Sequence, residues 1–519
     1  MFQFINNSRL FLVFIIPFFL GCSSVFAFQP FNISIVNFII FPVLFYILCE
    51  INKKSKSVYR KKPYLRNIFF VGYFFGIGFF LSGTYWISNS LSFDDNFKNL
   101  IPLTVILIPI LLGLFFGFTT LTCGPFLKKN FYSLIFFSTI FSLFDYIRAK
   151  ILTGFPWNLW SYSFSWFTEI LQILNPLGLF SFNLLSIILF SLPSVLFFNK
   201  KKYNLFIIFS FCLIFFLNYI YGNYIINKNN INIEKTLEGN NFVNIKIVSP
   251  NFDLKYNLGQ EDTDKRLKRL IKLSEPDPSK KTIFIWPEGV LSGKFFSDFS
   301  EYQNQINKNF SDDHLIVLGT NTTDKKGNIY NSLIIVNNKL EKKFQYNKIK
   351  LVPFGEFLPM NKMFEKFGLK KVTEGTGSYS KGETKTLFNY GKLSILPLIC
   401  YEIIFPELIQ EIKTTNLIVN LSEDAWFGKS IGPHQHFSKA IFRAIENNSY
   451  LARSTNKGIS AFINNKGQII KFLNPNESGN IELKVPIVHS EQKNKNDLIF
   501  FILLFTYMSF FFLLKNYEK

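Results

Sequence analysis

Long apolar segments are the feature that most constrains how this chain can fold. A helix needs about 20 apolar residues to cross about 30 Å of hydrocarbon. Runs of about that length lie at 9–27, 31–49, 67–87, 100–122, 131–148, 179–198, 204–222 and 498–514. The first run could be a cleaved signal peptide, but because further runs follow it we interpret it as a retained helix. The sequence therefore predicts a membrane domain of eight helices.

The basic residues predict how these helices are oriented. The formal net charge is +21, and many of the lysines and arginines cluster between apolar runs, at 52–66, 127–130 and 199–203. The loops on the opposite side, 28–30, 88–99 and 149–178, carry few basic residues. Since basic loops stay in the cytoplasm, both termini are predicted there and residues 223–497 outside. This distribution indicates a membrane protein and argues against a nucleic-acid partner.

The remaining sequence divides the chain into domains. The predicted boundaries are 1–225 for a transmembrane domain of seven helices, 226–490 for an outer domain, and 491–519 for a last helix with a cytoplasmic tail. Four cysteines lie in or beside the apolar runs, and Cys400 is the one cysteine in the outer part. A disulfide framework is therefore not expected.

The outer domain alternates strand-like and helical segments. Predicted strands lie at 243–249, 282–288, 314–320, 331–338, 393–400, 416–422 and 458–465. Helical patterns occupy 262–275 and 405–414, and "NNKG" at 464–467 predicts a hairpin turn. Alternation of this kind over some 250 residues predicts an α/β or layered α-β domain.

Two reactive side chains follow predicted strands, and functional groups of α/β sheets collect at the carboxyl ends of strands. Glu288 ends "IFIWPE", and Cys400 ends "ILPLIC". A third segment, "YNKIKLVPFGEFLP" (346–359), contributes Lys348 and Glu356. A thiol with a pKa of about 8.5 needs a nearby base or cation to become a good nucleophile. Glu288 can take the proton, and Lys348 can stabilise the thiolate and an oxyanion.

The order Glu288, Lys348, Cys400 resembles the nitrilase superfamily of Glu-Lys-Cys enzymes. Within that superfamily the chain resembles the apolipoprotein N-acyltransferases. The motifs that carry the resemblance are "GFPWNLWSYS" (154–163), "WPEG" (286–289), "YNKIKLVPFGEFLP" (346–359), "ICYEIIFPE" (399–407), "NLSEDAWFGKSIGPHQHF" (420–437) and "ARSTNKGIS" (452–460). The resemblance implies an eight-helix transmembrane domain joined to an extracytoplasmic, nitrilase-like α-β-β-α sandwich.

Residue roles follow from the same resemblance. It makes Glu288 the base, Lys348 the oxyanion-stabilising cation and Cys400 the nucleophile, with Glu356 as a fourth essential acid. It also implies supporting or substrate-binding roles, for Tyr401, Glu402, Trp157 and Trp426. One departure is visible after the first strand, where the family tends to have Q-x-N and then a Trp. Here Ser249 replaces the Gln and Tyr256 stands where the Trp is expected.

Other interpretations of these residues remain open. Taken alone, Cys400 is more often a buried core residue than a nucleophile. A Cys-His-Asn arrangement of Cys400, His434 and Asn456 would leave Glu288 and Lys348 unexplained. His434 and His436 in "PHQH" lack a nearby third ligand in the sequence, so no metal and no cofactor are expected. Residues 357–383 form either a surface helix with a Gly-rich tail or a mobile lid that touches lipid and guards the thiol.

The resemblance also implies the function. It predicts a membrane N-acyltransferase of the bacterial inner membrane that moves an acyl chain from phospholipid, through a thioester on Cys400, to a diacylglyceryl-modified lipoprotein. The alternative is a membrane-tethered carbon-nitrogen hydrolase with the same triad and water as acceptor. A transporter is disfavoured because the spans contain few charges that could line a pathway.

Overall fold

The chain folds into two compact units. The computed structural model describes residues 9–57, 63–95, 97–198, 201–256, 258–359, 378–410, 412, 415–488 and 497–517. The first unit comprises Met1–Ser88, Leu100–Tyr224 and Asn496–Lys519, and the second comprises Asn89–Asn99 and Ile225–Lys495. Residues 89–99, expected as a loop between two spans, therefore group with the second unit.

Eleven α-helices of seven or more residues lie in the described part of the chain. They are α1 (Ile16–Ser23), α2 (Asn37–Ser57), α3 (Pro63–Thr84), α4 (Ile101–Cys123), α5 (Phe131–Lys150), α6 (Leu179–Ser191), α7 (Lys201–Glu238), α8 (Gln260–Ser274), α9 (Gln303–Asn309), α10 (Gly432–Asn447) and α11 (Leu498–Tyr517). A 3-10 helix, Tyr85–Phe93, extends α3.

Six helical stretches of the described residues are long and apolar enough to cross a membrane. They are Ser34–Lys53, Tyr64–Phe93, Lys98–Phe126, Leu179–Phe197, Tyr203–Glu238 and Leu498–Asn516. The other two predicted spans correspond to the shorter apolar stretch Phe11–Ala27 and to α5, which carries charged residues near its end. The prediction of a membrane protein with several spans is thus supported, and the count of eight stays a prediction.

Small residues let α3 and α4 pack closely. A Cβ atom added at Gly76 would lie 2.8 Å from Cα of Gly113, and one added at Gly72 would lie 2.2 Å from the carbonyl oxygen of Phe116. Apolar helices in lipid associate through such close backbone approach rather than through a hydrophobic driving force.

Twelve strands form two six-stranded sheets in the second unit. They are β1 (Phe242–Ser249), β2 (Thr282–Ile285), β3 (His314–Thr323), β4 (Ile329–Asn337), β5 (Lys342–Asn347), β6 (Phe388–Tyr390), β7 (Leu393–Ile399), β8 (Leu417–Glu423), β9 (Tyr450–Asn456), β10 (Ser460–Ile463), β11 (Ile469–Leu473) and β12 (Gly479–Pro486). The strand orders are β12-β1-β2-β3-β4-β5 and β11-β10-β9-β8-β7-β6.

Each sheet has three parallel strands at its centre and antiparallel strands outside them. The parallel sets are β1-β2-β3 and β7-β8-β9. Apolar residues of α8 and α9 pack on the first sheet, and α10 packs on β9 and β10 of the second. The sheets meet face to face, and the Ser454 hydroxyl of β9 donates to the carbonyl oxygens of Val248 and Ile285. The predicted α/β class is confirmed.

Two helices differ between the prediction and the structure. The helix expected over 405–414 is wrong within the described residues, which form a 3-10 turn at Pro406–Leu408. Phe405, Leu408 and Ile409 are buried at the spacing of one helical stripe, so the apolar pattern favours a helix that the described backbone does not form. The helix α10 is not among the predicted elements, and its polar residues, among them Lys439, Arg443 and Glu446, are buried together with its apolar ones. The hairpin at 464–467 is present between β10 and β11.

Candidate active site

Cys400 begins a sharp turn at the end of β7. Its φ of +49° is left-handed, and the 3-10 helix Cys400–Ile404 starts at this residue. A non-glycine residue in this region is strained by about 1–3 kcal/mol and is found most often at functional sites. The turn leaves the thiol half-buried at the carboxyl end of a central parallel strand. This is the placement expected from the sequence.

Glu288 follows β2 and is 8% exposed. Its Oε1 accepts a hydrogen bond of 2.7 Å from the side-chain amide of Asn331, and its Oε2 accepts one of 3.1 Å from the backbone N–H of Glu423. The adjacent strand requires a glycine, because a Cβ atom at Gly319 would lie 2.8 Å from Cα of Glu288. Hydrogen bonds from β4 and β8 therefore hold the carboxylate, and β3 leaves room for its backbone.

Lys348 lies between two carboxylates and is 1% exposed. Its Nζ is 2.9 Å from Oε1 of Glu356 and 3.4 Å from Oε1 of Glu288. Asn331 joins the same cluster, since its amide also donates to Oε1 of Glu356 at 2.7 Å. Burial alone would lower the pKa of Lys348, but the two carboxylates outweigh burial and hold this pKa well above its usual value. Lys348 is thus a fixed ammonium ion.

The thiol interacts electrostatically with this cluster. Burial raises the pKa of Cys400, the charge of Glu288 raises it further, and Lys348 and a hydrogen bond from Ser422 act in the opposite direction. The resting form is therefore a neutral thiol. The predicted nucleophilic role of Cys400 would require a base to remove this proton, and Glu288 is the carboxylate most strongly coupled to the thiol.

Glu402 organises the loop that carries Lys348. Its Oε1 accepts hydrogen bonds from the backbone N–H of Ile349 at 2.6 Å, the backbone N–H of Lys350 at 3.1 Å and the Tyr346 hydroxyl at 2.9 Å. Its Oε2 accepts one of 2.8 Å from the backbone N–H of Ile399. Burial raises the pKa of Glu402 to about 7, although these backbone donors lower it. Glu402, two positions after Cys400, thus ties the end of β7 to the Lys348 loop.

A second buried network supports the turn at Cys400. Nε2 of His436 lies 3.3 Å from the carbonyl oxygen of Cys400, so this nitrogen carries the proton when the two hydrogen-bond. Arg453 donates to Asp424 at 2.8 Å and lies 2.9 Å from Nδ1 of His436. Burial and the charge of Arg453 lower the pKa of His436 to about 4. The imidazole is therefore neutral, and it contacts the backbone of Cys400.

These contacts bear on the Cys-His-Asn interpretation. The amide of Asn456 donates to Glu423 and to the carbonyl oxygen of Phe252, and its oxygen accepts from the backbone N–H of Phe252. Asn456 is thus engaged in holding a loop rather than in orienting His434. Among the described residues, no group of three or more His, Cys, Asp or Glu could hold a metal ion.

The aromatic candidates have different surroundings. Trp426 is half-buried between the rings of Tyr256, at 5.6 Å between centroids, and Phe93, at 5.9 Å. Tyr256, which replaces the expected Trp, therefore contacts another predicted site residue. The half-buried ring of Tyr401 packs edge-on against Phe405 at 5.0 Å.

Trp157 lies in the first unit and is buried there against Trp86 and Phe155. Its carbonyl oxygen accepts a hydrogen bond of 2.9 Å from Arg148, which is paired with Asp145 on α5. A buried ion pair of the membrane unit thus fixes the backbone of the "GFPWNLW" segment.

The proposed lid lies largely outside the described residues, which omit 360–377. Residues 378–383, the end of this segment, contact the site. The backbone N–H of Tyr379 donates to the carbonyl oxygen of Glu356 at 2.9 Å, and that of Gly382 donates to the carbonyl oxygen of Lys348 at 2.8 Å. The sequence did not identify Asn331 or Glu423 as site residues, and it named Asn456 only in the Cys-His-Asn alternative. They are ordinary polar residues of strands, and only the pairing of those strands brings them to the cluster.

The two-sheet fold and this cluster define an enzyme of the carbon-nitrogen hydrolase class. Residues 284–490 match the family model of carbon-nitrogen hydrolases, and residues 20–192 match that of the apolipoprotein N-acyltransferase N-terminal domain. The chain belongs to the apolipoprotein N-acyltransferase family. The predicted resemblance is thereby confirmed.

Similar relatives include three proteins named apolipoprotein N-acyltransferase. That of Rickettsia typhi is 32% identical over 95% of this chain and 98% of the relative, and that of Rickettsia prowazekii is 31% identical over 92% and 97%. That of Allorhizobium ampelinum is 28% identical over 88% of this chain and 87% of the relative.

Proposed function

We propose that this chain transfers a fatty acyl group from a phospholipid, through a thioester on Cys400, to the α-amino group of a diacylglyceryl-modified N-terminal cysteine of a lipoprotein. The observation that carries the proposal is the buried cluster of Glu288, Lys348 and Glu356 coupled to the Cys400 thiol. The names of the relatives support the lipoprotein acceptor, and the apolar helices support a lipid donor.

In the first half-reaction the Cys400 sulfur attacks the ester carbonyl carbon of the phospholipid while Glu288 takes the thiol proton. Lys348 stabilises the negative charge that develops on the carbonyl oxygen, in a site where burial strengthens the interaction. The carbon–oxygen bond to the glycerol breaks, and the leaving oxygen takes the proton from Glu288. A lysophospholipid leaves and the acyl thioester remains.

In the second half-reaction the lipoprotein amine attacks the thioester carbonyl carbon. Glu288 accepts the amine proton, an amide bond forms, the carbon–sulfur bond breaks, and the sulfur recovers the proton as a thiol. Water would compete with the amine, so exclusion of water from the thioester decides between transfer and hydrolysis.

The apolar helices give the substrate a physical route. An acyl chain of about fifteen methylenes at about 0.8 kcal/mol each resists transfer into water by about 12 kcal/mol. An enzyme acting on such chains gains by receiving them from the lipid layer. We place the chain in a bacterial inner membrane with eight spans, both termini in the cytoplasm and the catalytic unit outside, because its basic loops fall on one side.

The aromatic residues are proposed substrate contacts. Trp426 and Tyr256 present half-buried rings next to the segment that holds Glu288, and such rings suit an apolar chain. Tyr401 and Trp157 are proposed as supporting residues on the basis of their positions in the family motifs.

The test is to trap the thioester. Membranes holding the full chain are incubated with a phospholipid labelled in its acyl chain, and label on the Cys400 peptide is read by mass spectrometry. We expect label in the wild type and in Cys212→Ser, which changes an exposed cysteine of the membrane unit, and its loss in Cys400→Ala. Adding a diacylated lipopeptide should move the label to the peptide amine. Release of free fatty acid alone would support the hydrolase alternative, and full transfer by Cys400→Ala would refute the mechanism.

A further inference from the structure

Glu423 is a buried acid of the site to which the mechanism assigns no task. It ends β8, the strand between the one that carries Cys400 and the one that carries Asn456. The side chain is 5% exposed. Burial of a carboxyl group at this edge of the sheet is unfavourable unless specific partners hold it.

Its backbone contacts the proposed base directly. The backbone N–H of Glu423 donates to Oε2 of Glu288 at 3.1 Å. This is one of three groups that hold the Glu288 carboxylate, and it reaches the oxygen that faces away from Asn331 and Lys348. The position of β8 at this residue therefore fixes the orientation of the base.

Its side chain holds that position through Asn456. The Asn456 amide donates to Oε1 and Oε2 of Glu423 at 3.1 and 2.9 Å, and the backbone N–H of Ala425 donates to Oε1 at 3.0 Å. The side chain of Asn456 also makes two hydrogen bonds to the backbone of Phe252. The ring of Phe252 lies 4.8 Å from the guanidinium of Arg266. Glu423 thus joins the ends of β8 and β9 to the loop that follows β1.

The nearest acidic groups favour the neutral form of Glu423, and the guanidinium of Arg266 opposes them. Glu288 faces Glu423 from the end of β2, Asp424 adjoins it on β8, and Arg266 interacts with it from α8. Lys348 lies behind Glu288 and is already shared by two carboxylates, whereas Asp424 is paired with Arg453. Burial raises the pKa of Glu423 to about 8, and Glu288 and Asp424 raise it further against the hydrogen bonds from Asn456 and Ala425.

We propose that Glu423 is a positioning residue of this site, which holds Glu288 and must be uncharged for Cys400 to act as a nucleophile. A negative charge on Glu423 would oppose both the developing thiolate and the oxyanion, because all of these charges would share one buried region. Deprotonation would also place a second negative charge near that of Glu288, which already raises the pKa of Glu423 electrostatically. The effect of Glu423 on acyl transfer rests on the proposed function, whereas its effect on the reactivity of the Cys400 thiol does not.

The protonation state of Glu423 determines how the reactivity of Cys400 changes with pH. An ordinary thiol reacts faster as pH rises toward its pKa, since the thiolate is the nucleophile. Here the neutral fraction of Glu423 falls about tenfold for each pH unit above its pKa of about 8, so part of the ordinary rise is cancelled. Below that pKa the carboxyl is protonated and the ordinary rise is retained.

The experiment measures alkylation of Cys400 by iodoacetamide, which is uncharged, in the full detergent-solubilised chain. Peptide-resolved mass spectrometry separates Cys400 from the other four cysteines. Glu423→Gln resembles the protonated acid in shape and hydrogen bonding but cannot ionise. We expect the ratio of rates at about pH 9 to about pH 6.5 to be about tenfold larger in Glu423→Gln than in the wild type.

Two further variants make the result specific. Glu261→Gln, the same change at an exposed position of α8, should keep the wild-type ratio. Glu423→Asn, a shorter amide, should give the raised ratio as well and serves if the first variant does not fold. Equal ratios in the wild type and both Glu423 variants would overturn the proposal, as would a uniform loss at every pH. A raised ratio without any acyl transfer would refute the proposed function and leave this inference standing.

Discussion

Replacement of Glu402 by glutamine should slow the reaction without removing any reacting group. Glu402 accepts four hydrogen bonds that tie the Lys348 loop to the end of β7. In Glu402→Gln one oxygen becomes an NH₂ group. If the nitrogen takes the place of Oε2, it faces the backbone N–H of Ile399, and two donors then oppose each other. A lost partner that leaves a buried donor unsatisfied costs about 1–3 kcal/mol.

The protonation state of the Glu402 carboxyl narrows the expected loss of rate in Glu402→Gln. Burial raises the pKa of Glu402 to about 7, so near neutral pH part of the wild type is protonated and already resembles the glutamine variant. We therefore expect a loss of about 1.4–2.8 kcal/mol in transition-state stabilisation, a factor of about 10–100 in rate. The loss should be smaller at pH 6 than at about pH 7.5, because the ionised fraction grows as pH rises through the pKa of about 7.

The assay is single-turnover formation of the Cys400 thioester from labelled phospholipid, with Cys400 alkylation as a second measurement. Glu407→Gln is the matched control, since Glu407 pairs with Lys350 of the same loop but the pair is partly exposed. Such pairs contribute about 0–1 kcal/mol, so less than about a fivefold loss is expected. Tyr346→Phe, which removes one of the four donors, should be intermediate. Equal rates for wild type and Glu402→Gln across this pH range would refute the reasoning.

Two further predictions concern the base. Asn331→Ala removes two hydrogen bonds of 2.7 Å, one each to Glu288 and Glu356, and should slow the alkylation of Cys400 by about 10–100-fold. Asn338→Ala is its control, because it removes buried amide hydrogen bonds beyond the other end of β4. This variant should change the alkylation rate by less than about twofold. Gly319→Ala places a Cβ atom 2.8 Å from Cα of Glu288, so the base must move and thioester formation should fall more than about tenfold. Gly259→Ala, where a Cβ meets open space, is its control, and comparable rates for the two alanine variants would contradict the prediction.

The strand-end rule explains how much of the site could be predicted from the sequence. Glu288 and Cys400 end apolar runs, and the structure places them after β2 and β7, at the carboxyl ends of central parallel strands. Lys348 is distinguished in the sequence by its spacing to "VPFGE", because its own stretch is rich in other lysines. Nothing in the residue pattern predicted Asn331, whose role depends on β4 lying beside β3 in register.

Glu402 and Glu423 illustrate the remaining difference between sequence and structure. Glu402 adjoins the nucleophile in sequence but acts on a loop more than fifty residues away, through backbone donors that no residue pattern encodes. Glu423 lies in the motif at 420–437 without a role predicted for it, and its contact to Glu288 is made by the backbone. Both depend on the pairing of strands and on burial, which local patterns do not determine.

The charge balance of the cluster links these residues to the chemistry. At rest, Glu288 and Glu356 carry two negative charges and Lys348 one positive charge, with the thiol neutral. In the proposed mechanism the thiol proton moves to Glu288, so the negative charge passes to sulfur and then to the carbonyl oxygen beside Lys348. The net charge of the buried region does not change at any of these steps, and no new charge has to be desolvated. An ionised Glu423 would add a second uncompensated charge to the same region, which is why its protonation state should govern the reactivity of Cys400.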